Sequence, residues 1–339
     1  GDAAGAAGIA AGADATGMGG SLAAPAGFGA TLRAAASQLS APAAALFGLI
    51  HVGNETDTLE HAYGAYANVA DKQFREGDIP VYWHVPRSGG LAMQEALGRC
   101  TGLVMASKNK GGSNQLMTID DGVRHVNIDA STPEGIERAL TLDVLSTVNV
   151  DVLATSSLPA ASALFSRSSS SSSAKKRARA FALVRHPVKR AVSTYFHLRN
   201  SGNRMAKAMT VEEYASSELA EDNPLVRSLT GADPYERITS KHVDLAKGVL
   251  RKHVLVGITE NMAESLERFE RYFGWWDATD KGCQERVVTS GDERHNHTHF
   301  PPDTPEFKAL TVRNWADIDL FHYVRELFEA QEMLVSEGH

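Results

Sequence analysis

The segment Ile79-Pro-Val-Tyr-Trp-His-Val-Pro-Arg-Ser-Gly-Gly90 constrains this chain more than any other. A β-rich apolar run, Val81 to Val85, ends in Pro86-Arg87-Ser88-Gly89-Gly90, and helix-forming residues from Leu91 to Arg99 follow at once. A strand, a glycine turn and a helix in direct succession leave the first helical N–H groups without intrahelical partners. The helix dipole favours an anion at the same place. Arg87 adds a fixed cation and Ser88 a hydroxyl donor, so the segment reads as a cradle for phosphate or sulfate. A plain turn before a helix start is the other reading that these residues alone leave open. The GxxxxGK[ST] pattern is absent and no Gly-Lys dipeptide follows the strand, which argues against a loop built for ATP or GTP with magnesium.

A second stretch supplies what the first lacks. In Arg179-Ala-Phe-Ala-Leu-Val-Arg-His-Pro-Val-Lys-Arg-Ala-Val-Ser-Thr-Tyr195, Phe181 to Val184 form a short apolar strand with Arg185 at its C-terminal end. Pro187 suits the first helical turn, where its missing N–H costs nothing. Arg190 and Ser193 then share one helix face, and Arg185 can join them from the strand end. Two guanidinium groups and a hydroxyl at a strand–helix junction make a second anion site, with a solvated basic helix start as the competing reading. Two such sites suit a ligand with two separated anionic groups.

Strand and helix signals alternate along the rest of the chain. Strands are expected at Val81 to Val85, Arg124 to Ile128, Asp151 to Thr155, Phe181 to Val184 and His253 to Gly257. Helices are expected from Leu158, over Pro133 to Leu142 (capped by Ser131 or Thr132) and over Glu260 to Phe273. The pattern predicts an α/β fold, a central parallel sheet of five strands flanked by helices on both faces. Ligands of such sheets sit beyond the strand C-termini, where both anion motifs fall.

These motifs resemble those of the sulfotransferases that use 3′-phosphoadenosine 5′-phosphosulfate (PAPS), and most of all the Golgi carbohydrate type. Pro86-Arg-Ser-Gly-Gly90 is similar to the family's 5′-phosphosulfate loop, and Arg185-x-Pro-x-x-Arg-x-x-Ser-x-Tyr195 to its 3′-phosphate motif. Asn223-Pro-Leu-Val-Arg-Ser-Leu-Thr-Gly231, Val256 to Phe273 and Asp317 to Phe328 follow the family's general pattern, so the resemblance runs from Ile79 to Gln331. It implies a P-loop-like, three-layer architecture of the sulfotransferase and nucleotide-kinase kind. It also implies PAPS as donor, a glycan hydroxyl as acceptor, and no required metal. The implied cofactor contacts are Arg87, Ser88, Gly89, Gly90, Leu91, Ala92, Arg185 and Ser193, and Arg87 is the cation at the reacting centre. His125, in Val123-Arg-His-Val-Asn127, resembles the position of a histidine base in related glycan sulfotransferases. His84 and the carboxylates Asp120, Asp121 and Asp129 are further candidates. Two departures stand out. The family usually has Lys at Arg87, and hydroxyl residues where this chain has Leu91 and Ala92, which leaves backbone N–H groups with a larger share of the phosphosulfate contacts.

Composition narrows the partners. A net charge of −7 over 339 residues argues against general nucleic-acid binding. Cys100 and Cys283 are the only cysteines, so a disulfide framework and a cysteine-rich zinc site are excluded. Two free buried thiols are the expectation, with a bridge as the alternative in an oxidising compartment. His295-Asn-His297-Thr-His299 is the densest group of the 13 histidines, and its alternation suits a strand or loop more than a helical ligand pair. Residues 1–50 are rich in Ala and Gly and read as a stem or disordered segment, and 51–339 as one sulfotransferase domain. Within it, 166–176 reads as a flexible serine-rich loop, and Lys108-Asn-Lys-Gly-Gly112 as a basic stretch placed to meet an anionic acceptor or as a plain surface loop. Asn54-Glu-Thr56 and Asn296-His-Thr298 match the N-glycosylation pattern. With the resemblance, they lead to an expected glycoprotein of the Golgi lumen, held by a type II membrane anchor upstream of this chain. Two alternatives are a catalytically weak PAPS-binding protein and a sulfotransferase for small alcohols or sterols.

Overall fold

The structure, a computed structural model, describes residues 61–71, 77–107, 115–120, 122–166, 176–294 and 300–336. The stem, the boundary at residue 50, both glycosylation patterns, Asp121, Lys108 to Gly112, the serine run Ser168 to Ser173 and the His295 to His299 group lie outside these residues.

Seven strands build one mostly parallel sheet: β1 (Asp78–Trp83), β2 (Met105–Ala106), β3 (Thr118–Asp120), β4 (Arg124–Val126), β5 (Val152–Thr155), β6 (Arg177–Val184) and β7 (Val254–Ile258). Their order is β3-β4-β2-β5-β1-β6-β7, so β1 lies between β5 and β6. The expected five strands are present, and two were missed. β2 has only two residues and β3 three, too short for a period-two pattern to register. β3 pairs antiparallel with β4, which corrects the expectation of a purely parallel sheet.

Alternation along each strand feeds two cores, one per face. Val81, Trp83 and Val85 pack on one side with Ala178, Ala180, Ala182, Val254 and Val256. Tyr82, Phe181, Leu183 and Leu255 pack on the other, under Ala92, Met93, Ala96, Leu97 and Phe269. Every strand of the centre is therefore apolar on both sides, as a sheet flanked by helices requires. Thr132 is the cap of helix Pro133–Thr141, accepting from the Gly135 N–H at 3.0 Å.

The helix after β1 differs from its expected form. It is α-helical over Gly90–Glu95 and continues as a π-helix over Ala96–Cys100. Its end is tied by a disulfide between Cys100 and Cys283, with Cα atoms 5.4 Å apart across a sequence separation of 183. This corrects the expectation of two free thiols. The pairing follows from helix Lys281–Arg294 packing beside the π-turn, which no spacing in the sequence reveals.

Two of the stretches that carried the family resemblance serve architecture. Asn223 adopts a left-handed conformation (φ 46°) and its Oδ1 accepts from the Ala316 and Asp317 N–H groups at 2.8 and 3.2 Å. Asp317 answers by accepting from the N–H groups of Leu225 and Val226 at 3.0 and 2.9 Å. Helices Pro224–Thr230 and Trp315–Ala330 thus cap each other at their N-termini. Complete burial pushes the Asp317 carboxyl up to about 6, against the opposing pull of Arg190 and the two N–H groups. Between its unfolded value of 3.8 and its folded value the native state holds the extra proton. The associated stability is present below pH 4 and is lost as pH rises through 6, on the order of 3 kcal/mol. Urea unfolding of the wild type and Asp317→Asn at pH 4, 5 and 7 should show the wild type losing about that much relative to the variant. A difference that stays flat with pH would refute the assignment.

Candidate anion-binding site

The two motifs meet at the C-terminal edge of the sheet, where β1 is flanked by strands reached in opposite directions. Arg87 Nε donates to Ser193 Oγ at 3.2 Å, and Arg185 Nη1 donates to the Arg87 carbonyl oxygen at 3.1 Å. A residue of the first motif is therefore held by both ends of the second. The loop itself is shaped by two left-handed residues, Arg87 (φ 65°) and Gly89 (φ 85°). For Arg87 that conformation is costly, and observed strain of this kind gathers at ligand sites. Thr259, just after β7, donates its hydroxyl to the Ser88 carbonyl at 3.1 Å and closes the loop from the far side.

Gly89 is the N-cap and offers no side-chain acceptor, so the first-turn N–H groups of Gly90, Leu91 and Ala92 stay available to a ligand. The Ser88 Oγ is buried without a hydrogen-bond partner. A buried hydroxyl left unpaired costs free energy, and an anion in the cradle is a natural acceptor for it. Leu91 is 58% exposed on the first turn and Ala92 is buried, so both contribute backbone donors alone.

The electrostatics agree with this geometry. Burial pushes the Arg87 guanidinium below its ordinary value. Burial also lowers Arg185, and the like charge of Arg87 adds to the effect, while Glu260 opposes it. Two half-desolvated cations side by side favour an incoming anion. Glu260 is the acidic member of the site. Its Oε1 accepts from the His186 N–H at 3.2 Å and pairs with Lys189 Nζ at 3.5 Å.

Arg190 turns away from the anion site, and His125, on the strand where it was expected, lies at a distance from the loop. Arg190 is 2% exposed and turns from Ser193 to Glu221, bonding its Oε2 at 3.0 Å, so it belongs to the structural surroundings of Asp317. Residues three apart on a helix diverge by about 60°, enough for Ser193 to face the loop while Arg190 faces the interior. His125 is level with Met105, Met105 with Val152, and Val152 with Pro80. It therefore lies three strand spacings from β1, roughly 14 Å, and roughly 10 Å short of that strand's end. It is 1% exposed, with Nδ1 3.2 Å from the Val123 carbonyl oxygen. The fold thus brings together Arg87, Ser88, Gly89, Gly90, Leu91, Ala92, Arg185 and Ser193, and leaves His125 apart.

Thr259 and Glu260 were not assigned from sequence, although Val256-Gly-Ile-Thr-Glu-Asn261 was singled out. The available signal was position, since both follow a strand directly and so fall at the ligand-bearing edge. Among the described residues no group of three or more His, Cys, Asp or Glu stands together as a metal site, and no helix is long and apolar enough to cross a membrane. No protein-family model matches this chain, and no curated protein matches it.

Proposed function

We propose that this protein is a PAPS-dependent sulfotransferase acting on a carbohydrate hydroxyl, built on a P-loop-like three-layer architecture. The observation that carries this reading is the meeting of Arg87, Arg185 and Ser193 around the unpaired Ser88 hydroxyl and a free helix N-terminus. PAPS supplies an activated sulfuryl group on a phosphate, with a second phosphate on the ribose, and so brings two anionic groups to a site with two neighbouring cations. On this reading Arg87 and the first-turn N–H groups hold the phosphosulfate, and Arg185 with Ser193 holds the 3′-phosphate. Positive charge fixed in a half-buried cleft stabilises the electron pair that the leaving phosphate takes up. The Cys100–Cys283 bridge supports an oxidising compartment and hence the Golgi lumen as the place of work.

The second reading, a PAPS-binding protein with weak turnover, is favoured by one feature. The exposed Leu91 replaces a hydroxyl donor at the cradle's edge. Transfer of labelled sulfate from PAPS to a broad glycan panel separates the two, since binding without transfer supports the second.

The nucleotide assignment has its own test. Arg185→Ala should weaken binding of 3′-phosphoadenosine 5′-phosphate by about ten- to a hundred-fold, the worth of one charged hydrogen-bonded contact. Binding of adenosine 5′-phosphate, which lacks the 3′-phosphate, should change several-fold less. Equal losses for both ligands by calorimetry would remove Arg185 from this role.

A further inference from the structure

Transfer to a hydroxyl needs a group that takes a proton near neutral pH; the guanidinium and hydroxyl groups of the cradle provide none, and the Glu260 carboxylate is engaged by the His186 N–H and Lys189. With His125 displaced by the strand register, another histidine stands at the right place. His84 is the first residue beyond β1, and its N–H donates to the Thr155 carbonyl at 2.8 Å, so the sheet holds its backbone. Its ring lies on the Tyr82 side of the sheet, centroids 5.9 Å apart. The imidazole fills the space that a side chain at residue 90 would need, because a Cβ there would lie 2.2 Å from His84 Nε2. His84 therefore touches the first residue of the helix whose N-terminus faces the anion, and it is half-buried where His125 is sealed.

Asp129, just beyond the end of β4, is the charged residue that acts on His84. It is fixed at two points. Its Oδ1 accepts from the Ser131 N–H at 3.0 Å, and its carbonyl oxygen accepts from the Thr132 N–H at 3.4 Å.

We infer that His84 is the general base of the sulfuryl transfer, an assignment that rests on the function proposed above. His84 accepts the proton of the acceptor hydroxyl as that oxygen bonds to sulfur. Arg87 and the first-turn N–H groups receive the electron pair left on the phosphate oxygen when the sulfur–oxygen bond breaks. The products are a sulfate ester, 3′-phosphoadenosine 5′-phosphate and an imidazolium that returns its proton to water. Burial lowers the imidazole's affinity for a proton and Asp129 restores part of it, so the ring is neutral and competent as a base at pH 7.

The test uses the whole chain as wild type, His84→Gln and Asp129→Asn. Three quantities are read: calorimetric binding of 3′-phosphoadenosine 5′-phosphate, transfer rate from pH 5 to 9, and the NMR titration of the His84 ring. His84→Gln should bind the nucleotide within about three-fold of wild type while kcat falls by about 10²–10⁴-fold and the acid limb of the rate profile disappears. Asp129→Asn should move both the His84 titration and the acid limb of kcat/KM to lower pH, by equal amounts. Wild-type kcat and an unchanged acid limb in His84→Gln would overturn the assignment while leaving the proposed function standing. So would a wild-type acid limb of kcat/KM that does not coincide with the NMR titration of the His84 ring, a result that does not depend on His84→Gln folding. A wild type that binds no 3′-phosphoadenosine 5′-phosphate would remove the proposed function and this assignment together.

Discussion

Arg87→Ala is expected to slow sulfuryl transfer by about 10²–10³-fold, the usual effect of removing one fixed donor aimed at developing charge. The size follows from how firmly this guanidinium is held. Its Nε donates to Ser193 and its carbonyl accepts from Arg185, so both the side chain and the backbone of Arg87 are tied in place. Burial has already stripped part of its hydration, so its field acts through less water than a surface cation's would. The loss should appear mainly in kcat, because charge on the leaving phosphate grows in the transition state. Arg87→Lys should recover much of the rate, since an ammonium keeps the charge and lacks only the planar fork. Initial rates with labelled PAPS and one accepted glycan measure both variants. A loss under ten-fold in Arg87→Ala, with nucleotide binding intact, would take Arg87 out of the reacting centre.

Arg179→Ala should destabilise the fold by about 3–5 kcal/mol, the cost of leaving one partner of a buried ion pair uncompensated. Arg179 is 2% exposed at the N-terminal end of β6, opposite the candidate site. Its Nε bonds Asp78 Oδ2 at 2.6 Å, and Nη1 reaches the Tyr272 hydroxyl at 2.8 Å and the Asp71 carbonyl at 3.0 Å. Alanine would remove the closest cation from the Asp78 carboxylate, 3% exposed, and leave the more exposed Arg177 at 3.2 Å beside it. Urea unfolding at pH 7 gives the magnitude, and a shift below 1 kcal/mol would show that Arg177 suffices. Binding of 3′-phosphoadenosine 5′-phosphate by the folded fraction should be unchanged, because the network sits a full strand length from the cradle.

Legibility in the sequence followed the range of the forces involved. The central strands were readable because each is a short apolar run closed by a turn residue, and their burial on both faces demands that composition. β2 and β3 escaped because two or three residues carry no period. Thr132 was readable as a cap because its hydroxyl acts on an N–H three residues away. Asn223 and Asp317 were noticed only as a resemblance, since their reciprocal capping joins positions about 90 residues apart. The same limit applies at the site. Arg185 and Ser193 lie on one strand–helix unit and could be grouped by spacing. Whether Arg190 joins them depended on which side chain the Asp317 region captured, which is a tertiary matter.

The strand, glycine turn and helix start around Pro86 to Gly90 were determined by the sequence alone, because each is a local choice of neighbouring residues. The anionic ligand proposed for this loop was likewise read from backbone donors and Arg87 within the same short stretch. The tertiary structure decided the rest. It set Arg87 against Ser193, paired Cys100 with Cys283, moved His125 into the sheet interior and left His84 beside Gly90. Each of these depends on strand order and register, which arise from packing across the whole sheet and so leave no mark on any short stretch of chain.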